Sequence, residues 1–63
     1  MDLFGLLTIG QAVKVVIYDD ELNAVPTHLK AIGTVIGVAN DFYRVDFGGI
    51  IEMIDHLKLE AVQ

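Results

Sequence analysis

Gly33-Thr34-Val35-Ile36-Gly37-Val38, Asp41-Phe42-Tyr43-Arg44-Val45-Asp46-Phe47, Gly48-Gly49 and Ile50-Ile51-Glu52-Met53-Ile54 are the stretch that decides the fold, and Leu57-Lys58-Leu59-Glu60 closes it. Tyr43, Val45 and Phe47 alternate with Phe42, Arg44 and Asp46, the period-two pattern of a half-buried strand. Val35 and Val38 both read as core residues although their parity differs. A bulge at Gly37 reconciles them, since glycine inside a strand often marks one. Asn40-Asp41 are turn formers. Gly48-Gly49 is a two-residue hairpin connection, where positive φ is needed. In the strand Ile50 to Ile54, Ile51 and Met53 are expected to point inward, which leaves Ile50, Glu52 and Ile54 on the outer face. Asp55-His56-Leu57 suits one 3₁₀ turn, and Lys58 to Val62 forms the closing strand.

Working back toward the N-terminus, Val13, Val15 and Ile17 share one face of a further strand that runs to Tyr18. Lys14, Val16 and Tyr18 share its other face. Residues 19–31 hold the acidic run Asp19-Asp20-Glu21 and the single proline, Pro26. They read as a long loop, near the length at which structureless loops become uncommon. Residues 1–8 form a separate apolar arm, with Leu3 and Phe4 as contact candidates, and 9–63 form the domain. No pattern of a long amphipathic helix occurs. Five short strands predict an all-β fold, a small barrel whose closure removes exposed edges.

Sixty-three residues make one domain. A chain this short buries only about 60% of its unfolded surface, and disulfides, metals or oligomerisation are the usual remedies. There is no cysteine, which excludes disulfides and thiolate metal sites. Hydrophobic residues make up 54% of the chain, more than so small a core absorbs, so a homo-oligomer and a protein partner are expected. The net charge is -5, and the four basic residues Lys14, Lys30, Arg44 and Lys58 are dispersed. Phosphate-backbone binding rests on clustered Lys and Arg, so nucleic acid is disfavoured. Leu3-Phe4-Gly5-Leu6-Leu7 is too short to span a bilayer. It also lacks the basic leader and longer apolar run of a signal peptide. The expectation is a cytoplasmic protein without membrane contact.

The motifs Gly10-x-x-Val13-Lys14-Val15, Gly33-Thr34-Val35-x-x-Val38, Tyr43-x-Val45-x-Phe47 and Leu57-x-Leu59-Glu60-x-Val62 resemble the SH3-like small-barrel superfamily over residues 9–62. The pattern is similar to KOW-type domains, to small photosynthetic accessory subunits and to the plasmid-borne type II dihydrofolate reductases. The resemblance is one of fold, and unrelated functions share such folds. In the reductases a Val-Gln-Ile-Tyr strand lines the pore of a tetramer. The matching strand here reads Ile51-Glu52-Met53-Ile54, and Val15 stands where the first-strand basic residue would be. The resemblance therefore implies the assembly and not the activity. KOW domains that touch RNA are basic, whereas this chain is acidic. A five-stranded OB-fold is the alternative architecture.

Glu52 is either a solvent-facing carboxylate or a carboxylate held between Ile50 and Ile54 at an interface. Burial of a lone carboxylate is costly, so the second reading requires a partner such as Lys14, Arg44 or Lys58. Asp19, Asp20 and Glu21 read as a solvated loop, with an acidic docking patch as the alternative. His28 and His56 lie on distant segments and read as structural residues. There is no serine, and Thr8, Thr27 and Thr34 are the only hydroxyl candidates apart from the tyrosines, so nucleophilic hydrolysis is disfavoured. No catalytic residue, cofactor or metal is expected. The function expected is a small self-associating interaction module, an accessory or regulatory subunit or an inhibitor. The alternatives are a KOW-like nucleic-acid-associated module and an enzyme built at an oligomer centre.

Overall fold

A computed structural model describes residues 7–62. Leu3 and Phe4 of the expected arm lie outside the described residues. Five strands form one antiparallel sheet: β1 (Ala12–Val15), β2 (Gly33–Ala39), β3 (Phe42–Asp46), β4 (Ile51–Asp55) and β5 (Leu59–Ala61). Their order is β4-β3-β2-β1-β5. The all-β expectation holds. The sheet is not closed, because β4 pairs only with β3 and β5 only with β1.

Each connection follows from local chemistry. Between β2 and β3, Asn40 takes a positive φ of 56°. Asparagine tolerates that region better than most residues. Between β3 and β4, Gly48 and Gly49 have φ of 83° and 105°, as the two-residue hairpin requires. Phe47 N–H donates to the Ile50 carbonyl at 2.8 Å, and Gly49 N–H donates to Asp46 Oδ1 at 2.7 Å. Before β5 a 3₁₀ turn spans His56–Lys58, started by Asp55, whose Oδ1 accepts from Leu57 N–H at 3.0 Å. The expected bulge is present. Val35 stands opposite Val45 and Gly37 opposite Arg44, so Ile36 is the extra residue.

The core consists of Val13, Val35, Tyr43, Val45 and Phe47, with Leu7, Val15, Leu29, Ile54 and Leu59 packed against it. Gly33 is also buried, because a side chain there would meet Val45 and Phe47. Val38 stands opposite Tyr43, on the core side, yet is 50% exposed. The bulge restores its facing, yet its side chain stays half-exposed.

Three expectations are corrected. The first strand ends at Val15 and does not run to Tyr18. Residues 19–31 are not structureless: 3₁₀ turns form at Asp19–Glu21 and Thr27–Lys30. Strand β4 also faces the other way. Val45 stands opposite Glu52 and Tyr43 opposite Ile54. Directly opposed residues share a face, so Glu52 and Ile54 join the core side. Ile51 and Met53 point outward, 51% and 55% exposed. The physical reason is the hairpin. A two-residue loop fixes Phe47 opposite Ile50, and that register decides every facing in β4.

Candidate functional site

The Thr27–Lys30 turn lies against the open side of the sheet. Pro26 precedes it with φ of −54°, and Leu29 N–H donates to the Pro26 carbonyl at 3.1 Å. The turn sends Leu29 onto the core and His28 toward β4. His28 Nε2 lies 2.6 Å from Glu52 Oε2, and its ring meets Phe47 edge-on at a centroid separation of 6.0 Å. Glu52 is therefore paired, as a half-buried carboxylate must be. Its partner is not Lys14, Arg44 or Lys58 but a histidine from the long loop. Sequence reasoning read both histidines as structural residues and offered only basic side chains as partners for Glu52. The signal it lacked was the register that turns Glu52 inward.

Beside this pair lies a groove of about 310 Å³. Met53, Ile54 and Asp55 of β4 form one wall, and Val15, Val16 and Ile17 another. Glu21, Val25 and Leu29 of the long loop complete it, with Lys58 at its margin. The lining is mostly aliphatic, and no group of three or more potential metal ligands occurs among the described residues. The bond from Phe47 N–H to the Ile50 carbonyl puts Ile50, and by alternation Glu52 and Ile54, in the bonded pairs with β3. The backbone groups of Ile51, Met53 and Asp55 therefore point away from β3. They are the free edge of the sheet.

The sequence candidates separate in space. Ile50 stands opposite Phe47 and is exposed; Ile54 packs on the core; Glu52 is held by His28. The three do not form one outer face. Asp19 and Asp20 are exposed, and Glu21 lies in the groove wall. Glu21 pins its own turn, with Oε1 accepting from Tyr18 N–H at 3.1 Å. His56 is structural: its backbone N–H donates to the Asp41 carbonyl at 2.9 Å, and Nδ1 lies 3.0 Å from the same oxygen.

The outer face is the feature that strand-by-strand reading missed. Ile36, Phe42, Ile51 and Met53 are all exposed there, around Arg44. No helix among the described residues is long and apolar enough to cross a membrane. Comparison with protein-family models, curated proteins and solved structures finds no match to this chain.

Proposed function

We propose that this chain is a small SH3-like barrel that self-associates and works by protein contact, as an accessory or regulatory subunit or an inhibitor. The barrel assignment is supported by five antiparallel strands in the order β4-β3-β2-β1-β5 and by the 3₁₀ turn before β5. The interaction role is carried by one observation. β4 is an edge strand whose outward side chains Ile51 and Met53 are more than half exposed beside Phe42, with Asp55 the one charged residue on that face of the strand. A solvated edge normally carries charge, proline or a bulge to prevent pairing with another chain. Outward Ile and Met do the opposite, and an apolar patch of this kind marks an interface.

The test is sedimentation equilibrium of the full chain from low to high micromolar concentration. A mass that rises above that of one chain supports the reading. A single folded monomer throughout, with no change in Met53 or Ile51 environment on concentration, overturns the self-association.

A further inference from the structure

The groove beside β4 is lined by six aliphatic side chains, Val15, Val16, Ile17, Val25, Leu29 and Ile54, each only half-buried. They border a volume of about 310 Å³. Ligand pockets run from roughly 300 to 1,000 Å³, so this one suits one or two large side chains better than a bulky ligand. Its β4 wall is also a strand edge. The backbone groups of Met53 and Asp55 point away from β3, and β4 has no second strand beside it. Half-buried aliphatic side chains next to unpaired strand backbone fit an apolar peptide segment, which supplies side chains and backbone hydrogen-bonding groups together.

Charge narrows the kind of segment. Glu21, Asp55 and Lys58 border the groove. The two carboxylates are held by their own turns. Glu21 Oε1 accepts from Tyr18 N–H at 3.1 Å; Asp55 Oδ1 accepts from Leu57 N–H at 3.0 Å and lies 3.3 Å from His56 Nδ1. Lys58 is exposed and makes no ion pair among the described residues. The charge left open at the groove is one ammonium, which suits an apolar segment carrying one carboxylate.

That description fits Met1-Asp2-Leu3-Phe4-Gly5-Leu6, which lies outside the described residues. Asp2 is its single charged side chain, among Met1, Leu3, Phe4 and Leu6. The segment joins the described chain at Leu7, which packs on the same core as Val15, Leu29 and Ile54 of the groove. Six extended residues reach up to about 20 Å, against a shortest molecular extent of 23 Å. The groove is therefore within range of this segment in its own chain.

We propose that residues 1–6 dock in the groove of their own chain, with Leu3 and Phe4 against Val25, Leu29 and Ile54, Asp2 beside Lys58, and the edge of β4 covered at Met53 and Asp55. This docking does not depend on the self-association proposed above.

The experiment is NMR on the full chain as wild type, Phe4→Asp and Lys58→Gln, with a further wild-type sample that mixes isotope-labelled and unlabelled chains. Expected are nuclear Overhauser contacts from the Phe4 ring to the Val25 and Ile54 methyl groups within one chain. Amide exchange at Met53 and Asp55 should be slow in the wild type and roughly tenfold or more faster in Phe4→Asp, the scale of one large apolar side chain leaving its site. Lys58→Gln should accelerate the same amides less, as loss of a solvated ion pair does. Exchange at Tyr43 and Val45 should not change, which reports an intact sheet. If Phe4→Asp does not fold, the wild-type contacts decide. No contact between Phe4 and the groove, contacts only between labelled and unlabelled chains, or Met53 and Asp55 exchange that Phe4→Asp leaves unchanged overturns the docking. Protection that rises with concentration and ignores Phe4→Asp belongs to self-association, which then stands while this docking falls. A wild type that is monomeric throughout and shows the Phe4 contacts supports the docking while overturning self-association.

Discussion

His28 Nε2 lies 2.6 Å from Glu52 Oε2, a contact between residues 24 apart in sequence that ties the long loop to edge strand β4. The His28 ring packs edge-on against Phe47. One side chain thus fixes the loop through a polar and an apolar contact. The side chains are 22% and 38% exposed, so water screens part of the interaction. Its strength is that of a partly solvated pair.

A double-mutant cycle on this pair should show coupling. His28→Ala and Glu52→Ala are each expected to destabilise the fold by about 1 kcal/mol, with a coupling of about 0.5–1 kcal/mol. In a domain this small, about 1 kcal/mol moves Tm by roughly 4–8 °C. Urea melts of the four proteins measure it. Additive losses would mean that the Phe47 contact alone holds the turn.

Ile54 and Met53 should respond oppositely to lysine. Ile54 stands opposite Tyr43 and packs on the core, whereas Met53 points outward. Ile54→Lys is expected to cost on the order of 2 kcal/mol or more, through lost apolar burial and a desolvated charge. Met53→Lys should stay within about 0.5 kcal/mol of wild type as a monomer. Thermal melts at low concentration compare them, and equal losses would contradict the facing of β4.

Gly33 and Gly37 share a strand but not a tolerance for alanine. A Cβ at Gly33 would fall 2.5 Å from Val45 Cγ1 and 2.9 Å from Phe47 Cδ1, inside the core. Gly33→Ala should destabilise by about 1–3 kcal/mol, the usual cost of overpacking. Gly37→Ala meets only Arg44, at ordinary contact distance, and should be nearly neutral. A Gly33→Ala protein with an unshifted urea midpoint would refute the close packing of β2 on β3.

Asn40 should discriminate by backbone and not by size. Its φ of 56° disfavours β-branched residues. Asn40→Val is expected to lose about 1–2 kcal/mol, while Asn40→Gly stays close to wild type. If valine were tolerated as well as glycine, the β2–β3 connection would have a different conformation from the one described.

Much of the sheet was legible from residue pattern. The alternation of Tyr43, Val45 and Phe47, the Gly48-Gly49 connection, the bulge between Val35 and Val38, and the turn before β5 each rest on interactions a few residues apart. Such interactions are written locally. The facing of β4 was written there too: a two-residue loop after Phe47 puts Ile50, Glu52 and Ile54 on the side of Phe47, Val45 and Tyr43. Taking Ile51 and Met53 as the inward pair sent the carboxylate outward. The register of a hairpin outranks the polarity of one residue, since a slip would turn every side chain of the strand.

The sequence by itself determined an all-β chain of short antiparallel strands, because strand periodicity, β-branched residues and turn chemistry are local properties. Tertiary structure alone decided the partner of Glu52 and the grouping of Arg44 with Ile36, Phe42, Ile51 and Met53. The first depends on a 3₁₀ turn 24 residues away bringing His28 to β4. The second depends on three strands lying side by side, with Gly37 leaving room for the Arg44 stem. Contacts of that kind are set by where the backbone places distant residues, which no single stretch of sequence encodes.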